Sequence, residues 1–372
     1  MSTELSCDGA QGEGYTQVIP TMGSQIAIRW IPHEERIPNA DSVQRAESPQ
    51  SQNSEVSEAI GKKLLAVNDQ WVEILSDYQQ DSEVNRFCAE ADDLGWHTPG
   101  EGLWRVLELC DRWNRWSDGA FDAALGALAR LRRGRREYPD EVWEQARLAS
   151  GWERLEFDEA AQRVRFKIKG VRLDFGAIGK GFVVDRLAEC LEGMGIRRYV
   201  VNASGNMSLG DRPRSESNEG WPVTIGCVES PEHTLALMHL QRCGIATSGD
   251  LFQKFRDGPR LGRVGTGATG SQQAEGESKT SHIVDPSRKK GLQHAQMATV
   301  VTTDATHADA FATALCVHME RGTVRRWLMD FESRPDSIPF WAWMQSQEIG
   351  HGAPRVMQWR FPDTQADIQR LN

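Results

Sequence analysis

The chain has 372 residues, 39% hydrophobic and 26% charged, enough to bury a full core in one large or two modest globular domains, and 43 Lys plus Arg against 53 Asp plus Glu leave a net charge of −10. That balance gives no basic footprint, which argues against nucleic acid or an anionic membrane as the partner of the whole chain. Seven scattered cysteines without CxxC spacing argue against a disulfide framework or a zinc site. The opening MSTELSCDGAQGEGY holds neither a basic start nor an apolar run, and no apolar stretch of about 18 residues follows, so the expectation is a soluble, cytoplasmic chain without a transmembrane segment, export staying open if the gene start is misassigned.

Residues 1–16 are expected to be a disordered N-terminus, 17–350 a single domain, and 351–372 a C-terminal extension. In 24–30, Ile26, Ile28 and Trp30 alternate as in a half-buried strand, and the Pro-, Ser-, Gln- and Glu-rich residues 32–57 read as a loop or insertion. From Glu58, the positions Ile60, Leu64, Val67, Trp71 and Ile74 recur at helical spacing, and Leu103, Val106, Leu107, Cys110 and Trp113 repeat the pattern. Residues 129–136 carry five arginines and read as a solvated surface stretch, with an acidic partner surface as the alternative. Val164, Phe166 and Ile168 alternate, and a glycine-rich segment then leads into Val183, Val184, Leu187, Ala188 and Leu191, a strand, tight loop and helix in series. Further strands are expected at 199–202, 223–228 and 297–302. Residues 257–280 have only Leu261 and Val264 as large apolar residues and are expected to be a mobile loop. The sum is an α+β fold, a mixed or antiparallel sheet core with flanking helices.

The densest glycine cluster, Leu173-Asp-Phe-Gly-Ala-Ile-Gly-Lys-Gly-Phe182, stands between a strand and a helix. Backbone N–H groups and a helix N-terminus there can hold an anion such as a pyrophosphate, with Lys180 adding a positive charge, and a structural turn with a solvated lysine is the equal alternative. A Walker loop does not fit, because Gly181 rather than Ser or Thr follows the lysine, nor does GxGxxG fit Gly176, Gly179 and Gly181. Residues 303–316 read as a helix capped near Thr303 or Asp304, with Phe311, Leu315 and Met319 on one face. Asp309 and Thr313 point the same way and make a partial site for a hard cation such as Mg2+, the alternative being an exposed Asp beside a Thr bonded to its own helix. Ala246-Thr-Ser-Gly-Asp250 is a polar turn after a strand, and in Ser281-His-Ile-Val-Asp-Pro286 the imidazole of His282 is either a general base or a satisfied structural side chain.

In this order, these segments resemble the FAD:protein FMN transferase family, the ApbE-type flavin transferases. The resemblance also takes in Met22-Gly23, Asp77-Tyr78, Ser82-Glu-Val-Asn-Arg-Phe87, Asp118-Gly-Ala-Phe-Asp122, Asn202-Ala-Ser-Gly205 and Ala308-Asp-Ala-Phe-Ala-Thr313, and spans most of the chain. It implies an ApbE-like, T-fold-like architecture and Mg2+-dependent transfer of FMN from FAD to a Thr or Ser hydroxyl of an acceptor flavoprotein, through a phosphoester bond, with AMP leaving. With water as acceptor the same site would be an FAD pyrophosphatase, and a non-catalytic FAD-binding protein is the third reading. The resemblance further implies FAD contacts at Met22, Tyr78, Ala120, Phe121, Asp122, Asp174, Lys180, Ser248, His282 and Ile283. It implies Mg2+ contacts at Asp309, Thr313 and the carbonyl of Ala177, and makes His282 the base for the acceptor hydroxyl. Asn206 departs from the family, which usually has an acidic residue there, and the arginine run stands where a tryptophan and glycine turn is common. Thr266-Gly-Ala-Thr269 resembles the core of the acceptor motif, which makes Thr269 a candidate for self-modification, against a chance match in a Gly- and Thr-rich linker.

Overall fold

The computed structural model describes residues 4–7, 14–31, 49–134, 138–213, 220–226, 234–249, 254–256, 279–348, 351–361 and 367–369. Nine of the described strands form one antiparallel sheet whose spatial order is the chain order. They are β1 (Glu4–Cys7), β2 (Tyr15–Thr21), β3 (Ser24–Ile31), β4 (Arg198–Ala203), β5 (Asn206–Leu209), β6 (Cys243–Gly249), β7 (Ala295–Thr302), β8 (Phe340–Glu348) and β9 (His351–Arg360). The alternation read in β3 is its burial, with Ile26, Ile28 and Trp30 inside and Gln25, Ala27 and Arg29 outside. Two tight turns at one end of the sheet use the left-handed region. Gly23, between β2 and β3, has φ +70°, and Ser204-Gly205, between β4 and β5, have φ +52° and +96°, which suits a two-residue hairpin.

The described α-helices are α1 (Pro49–Leu75), α2 (Glu83–Glu90), α3 (Glu101–Trp116), α4 (Gly126–Arg133), α5 (Asp140–Leu148), α6 (Gly179–Gly193), α7 (Ala305–Arg321) and α8 (Val324–Glu332). On one face of the sheet α6 and α7 lie against the strands, and α1 packs on α6. The buried alanines Ala305, Ala308, Ala312 and Ala314 let α7 come close. Where α6 crosses it, a Cβ at Gly181 would stand 2.2 Å from the Ala305 carbonyl oxygen, so only glycine fits. The other face is covered by a three-stranded sheet, Trp221–Gly226, Thr234–Leu240 and Asp367–Gln369, closing a second core of Trp221, Val223, Met238, Trp341 and Trp343.

The structure revises several expectations. Within the N-terminal stretch expected to be disordered, residues 4–7 are strand β1, with Glu4 opposite Val18. The helix expected from Glu58 begins at Pro49, so 49–57 are helix rather than loop; proline suits a first turn, and Gln and Glu sustain a helix without an apolar pattern. Residues of the expected C-terminal extension contribute β9 to the main sheet and 367–369 to the smaller one. Residues 279–280 belong to a strand, Lys279–Ser281, whereas 32–48 and 257–278, Thr269 included, lie outside the described residues.

Candidate functional site

Helix α7 begins at the N-cap Asp304, whose carboxylate accepts the His307 N–H at 2.8 Å, and this start sets the phase that turns Asp309 toward α6. Asp309 is 2% exposed, and its Oδ2 accepts the Gly181 N–H at 3.1 Å. Burial holds its carboxyl above the usual range, against the charge of Lys180, the Gly181 N–H and a hydrogen bond from the Asn206 amide. The other amide atom of Asn206, Oδ1, is buried and has no hydrogen-bond partner. One turn along α7, Thr313 Oγ1 lies 3.0 Å from Ser248 Oγ, near the end of β6. Lys180 Nζ donates to the Gly176 carbonyl at 2.9 Å, and a Cβ on Gly179 would lie 3.5 Å from Met22 Cε. Met22, Lys180, Ser248, Asp309 and Thr313 therefore gather at one end of the sheet, with Ala177 in the loop that opens α6.

Asp174 joins this cluster to Tyr78. Its Oδ1 accepts the Gly176 N–H at 2.8 Å and its Oδ2 takes Arg133 Nη1 at 3.1 Å. Arg133 also donates to Asp77 and, at 3.4 Å, to the Tyr78 hydroxyl, and its guanidinium carbon stands 4.7 Å from the centroid of the Tyr78 ring, a residue 62% exposed. Burial, then the charge of Asp174, push the Asp77 carboxyl up, while Arg133 pulls it down. The adjacent Arg132 is 6% exposed and donates to the Ser281 carbonyl and, at 3.2 Å, to Thr280 Oγ1; Arg130 donates to Asn85. The arginine run read as a solvated stretch is thus, among its described members, a set of tethers, because each finds an acceptor on another segment. Nothing in local sequence signals those partners.

The Ala120, Phe121 and Asp122 turn is built differently. Ala120 and Phe121 are buried, the Asp122 carboxylate accepts the Ala124 N–H at 2.7 Å and the Trp152 N–H at 2.9 Å, and the Phe121 N–H and carbonyl are bonded to Ser117 Oγ and the Asn114 amide, so the turn is held rigidly by its own partners. Burial raises the Asp122 pKa to about 6 against those two bonds. The Ala123 carbonyl accepts the Asp174 N–H at 2.8 Å, which ties the turn to the glycine loop. His318, which sequence reasoning missed, supports it from α7: Nε2 bonds the Ser117 carbonyl at 3.0 Å and Nδ1 the Thr323 hydroxyl at 2.8 Å, and burial lowers its pKa to about 4.

His282 is exposed on the turn that follows Lys279–Ser281, and Ile283 beside it is buried. That turn is pinned by Arg132 at Ser281 and by Asp285, whose carboxylate receives Arg321 of α7 at 2.6 Å. Two cavities, of about 620 and 530 Å³, lie beside the Asp309 cluster rather than at it. The first, between α3, α6 and the start of α7, opens on Arg186 and Glu189, and the second runs from Asp122 to Lys289. The buried carboxylate with converging donors, not cavity size, marks the site. Among the described residues no group of three or more His, Cys, Asp or Glu is arranged to hold a metal ion. The side-chain oxygens here are the Asp309 carboxylate, the Thr313 hydroxyl and the unpartnered Asn206 Oδ1, a set whose chemistry fits a hard cation that keeps water and phosphate in its shell.

A family model described as the ApbE family matches residues 22–332. Similar curated proteins named FAD:protein FMN transferase include one from Escherichia coli, 26% identical over 313 residues, 81% of this chain and 79% of that protein. Another, from Klebsiella pneumoniae, is 26% identical over 272 residues, 70% of this chain and 71% of its own length. Among solved structures, the flavin transferase ApbE from Vibrio cholerae superposes with a TM-score of 0.65 at 22% identity, covering 96% of this chain and 97% of that one. The apo flavinyl transferase ApbE of Pseudomonas stutzeri does so at 0.66 and 22%, covering 97% and 95%. These likenesses show the same fold, with mixed helices and an antiparallel sheet.

Proposed function

The chain belongs to the ApbE family, and from that premise we propose that it transfers FMN from FAD to a Thr or Ser hydroxyl of an acceptor protein, with release of AMP. The observation that carries this reading is the buried Asp309 carboxylate, set between Gly181, Asn206 and Lys180, one turn from Thr313. Asp309, Thr313 and the Ala177 carbonyl would hold Mg2+, which when bound supplies charge neutralisation at the FAD pyrophosphate. Lys180 and the N-terminal turn of α6 add positive potential on the same side. Met22, Tyr78, Asp174, Ser248, Ile283 and the turn of Ala120–Asp122 border the rest of the nucleotide.

As the acceptor oxygen bonds to the FMN phosphorus and the phosphorus–oxygen bond to AMP breaks, a ring nitrogen of His282 takes the hydroxyl proton. The exposure of His282 suits that task, since the hydroxyl arrives on another protein. Incubation with FAD, MgCl2 and a threonine-containing acceptor peptide tests the reading. Equal amounts of AMP and flavin-labelled peptide are expected; AMP with free FMN would make the chain an FAD pyrophosphatase, and intact FAD would overturn both activities. In the same mixture without peptide, a gain in intact mass at Thr269 would reveal self-modification, and an unchanged mass would exclude it.

A further inference from the structure

Arg133 takes no part in the chemistry just described, yet it is the only residue in the described contacts that touches Tyr78, Asp77 and Asp174 together. Its guanidinium lies on the Tyr78 ring at 4.7 Å, the distance of a cation–π pair, while its N–H groups reach two carboxylates and the phenol. The guanidinium is therefore held in place from several sides. From it a line of bonds runs through Asp174 Oδ2, Asp174 Oδ1 to the Gly176 N–H, and the Gly176 carbonyl to Lys180 Nζ, so one side chain couples the exposed aromatic ring to the lysine of the pyrophosphate loop.

We propose that Arg133 is a positioning residue for FAD. Stacked on Tyr78, it makes a flat, cationic platform for one of the two planar ring systems of the dinucleotide, and by holding Asp174 it sets that platform in register with Lys180. This rests on the FAD reading above. A platform acts in binding, so it affects KM for FAD and leaves the transfer step alone. The planar fork matters as well as the charge: lysine can neutralise Asp77 and Asp174 but cannot lie flat on a ring while bridging two carboxylates.

The test compares wild type, Arg133→Lys and Arg133→Met by initial rates of AMP release over a range of FAD concentrations, with thermal melting as a check on folding. KM for FAD is expected to rise about tenfold in both variants, with kcat within about threefold of wild type and the lysine variant melting near wild type. Wild-type KM in Arg133→Lys would show that only charge compensation is needed and would overturn the platform. A fall in kcat at unchanged KM would equally overturn it. If wild type itself neither binds FAD nor releases AMP, the FAD reading fails first and takes this inference with it, an outcome distinct from a variant that behaves as wild type.

Discussion

Asp309 and His282 occupy opposite kinds of surroundings. Asp309 is sealed at the crossing of α6 and α7, where Gly181 admits the neighbouring backbone and the nearby donors come from α6 and the main sheet. His282 stands exposed on a short turn, pinned at its two ends by Arg132 and Arg321. A group that must hold charge against a polyanion gains from low dielectric and fixed neighbours. A base that must meet a hydroxyl on a second protein has to remain at the surface. The proposed reaction calls for both environments, and the fold supplies them from separate elements.

That contrast can be broken or sharpened by experiment. The largest effect is expected from Asp309→Ala, which should lower AMP release from FAD about 10³-fold with either peptide or water as acceptor; a loss confined to peptide labelling would contradict its place on the charge-holding side. Next comes the pH dependence of the buried side. His318 has a folded pKa near 4, below its unfolded 6.5, so the unfolded chain takes up a proton first as pH falls. The stability it confers is whole above pH 6.5 and is lost toward pH 4, by about 3 kcal/mol. Urea unfolding between pH 7 and 4.5 should show a shallower fall in His318→Gln than in wild type, and parallel curves would refute the assignment.

On the exposed side, His282→Ala should slow peptide labelling about 10²-fold while leaving the dissociation constant for FAD, read by flavin fluorescence, within a few-fold. A large loss of FAD affinity would instead make His282 a binding residue. The smallest effect is expected from Gly181→Ala, which forces α6 from α7 and should cost about 2 kcal/mol in unfolding free energy. Chemical denaturation checks it, and a wild-type midpoint would mean the crossing can relax.

Much of the architecture was legible because it is written locally. The alternation of β3, the cap at Asp304 and the apolar face with Phe311 and Leu315 each depend on neighbours in the chain, and each stands where its pattern indicates. The site was legible only through ordered motifs, since no single spacing chose between a cation site and an exposed helix face at Asp309. What escaped were partnerships made across the chain. Arg133 with Asp77 and Asp174, Arg132 with Ser281, and His318 with Ser117 join residues far apart in sequence, and composition cannot distinguish an arginine in water from one bridging two carboxylates. The terminal strands β1 and β9 escaped for a related reason, since edge strands need little apolar alternation.

The close crossing at Gly181 has a mechanical consequence. With no side chain between them, and with Asp185 of α6 accepting the Ala305 and Thr306 N–H groups at the start of α7, the two helices move as one block. Sliding one along the other would break the bonds to Asp185 and drive backbone into backbone. The charge-holding half is therefore the anvil of the enzyme. The turn bearing His282 is fastened to that block through Asp285 and Arg321 of α7, and the end of α4 through Arg133 and Asp174.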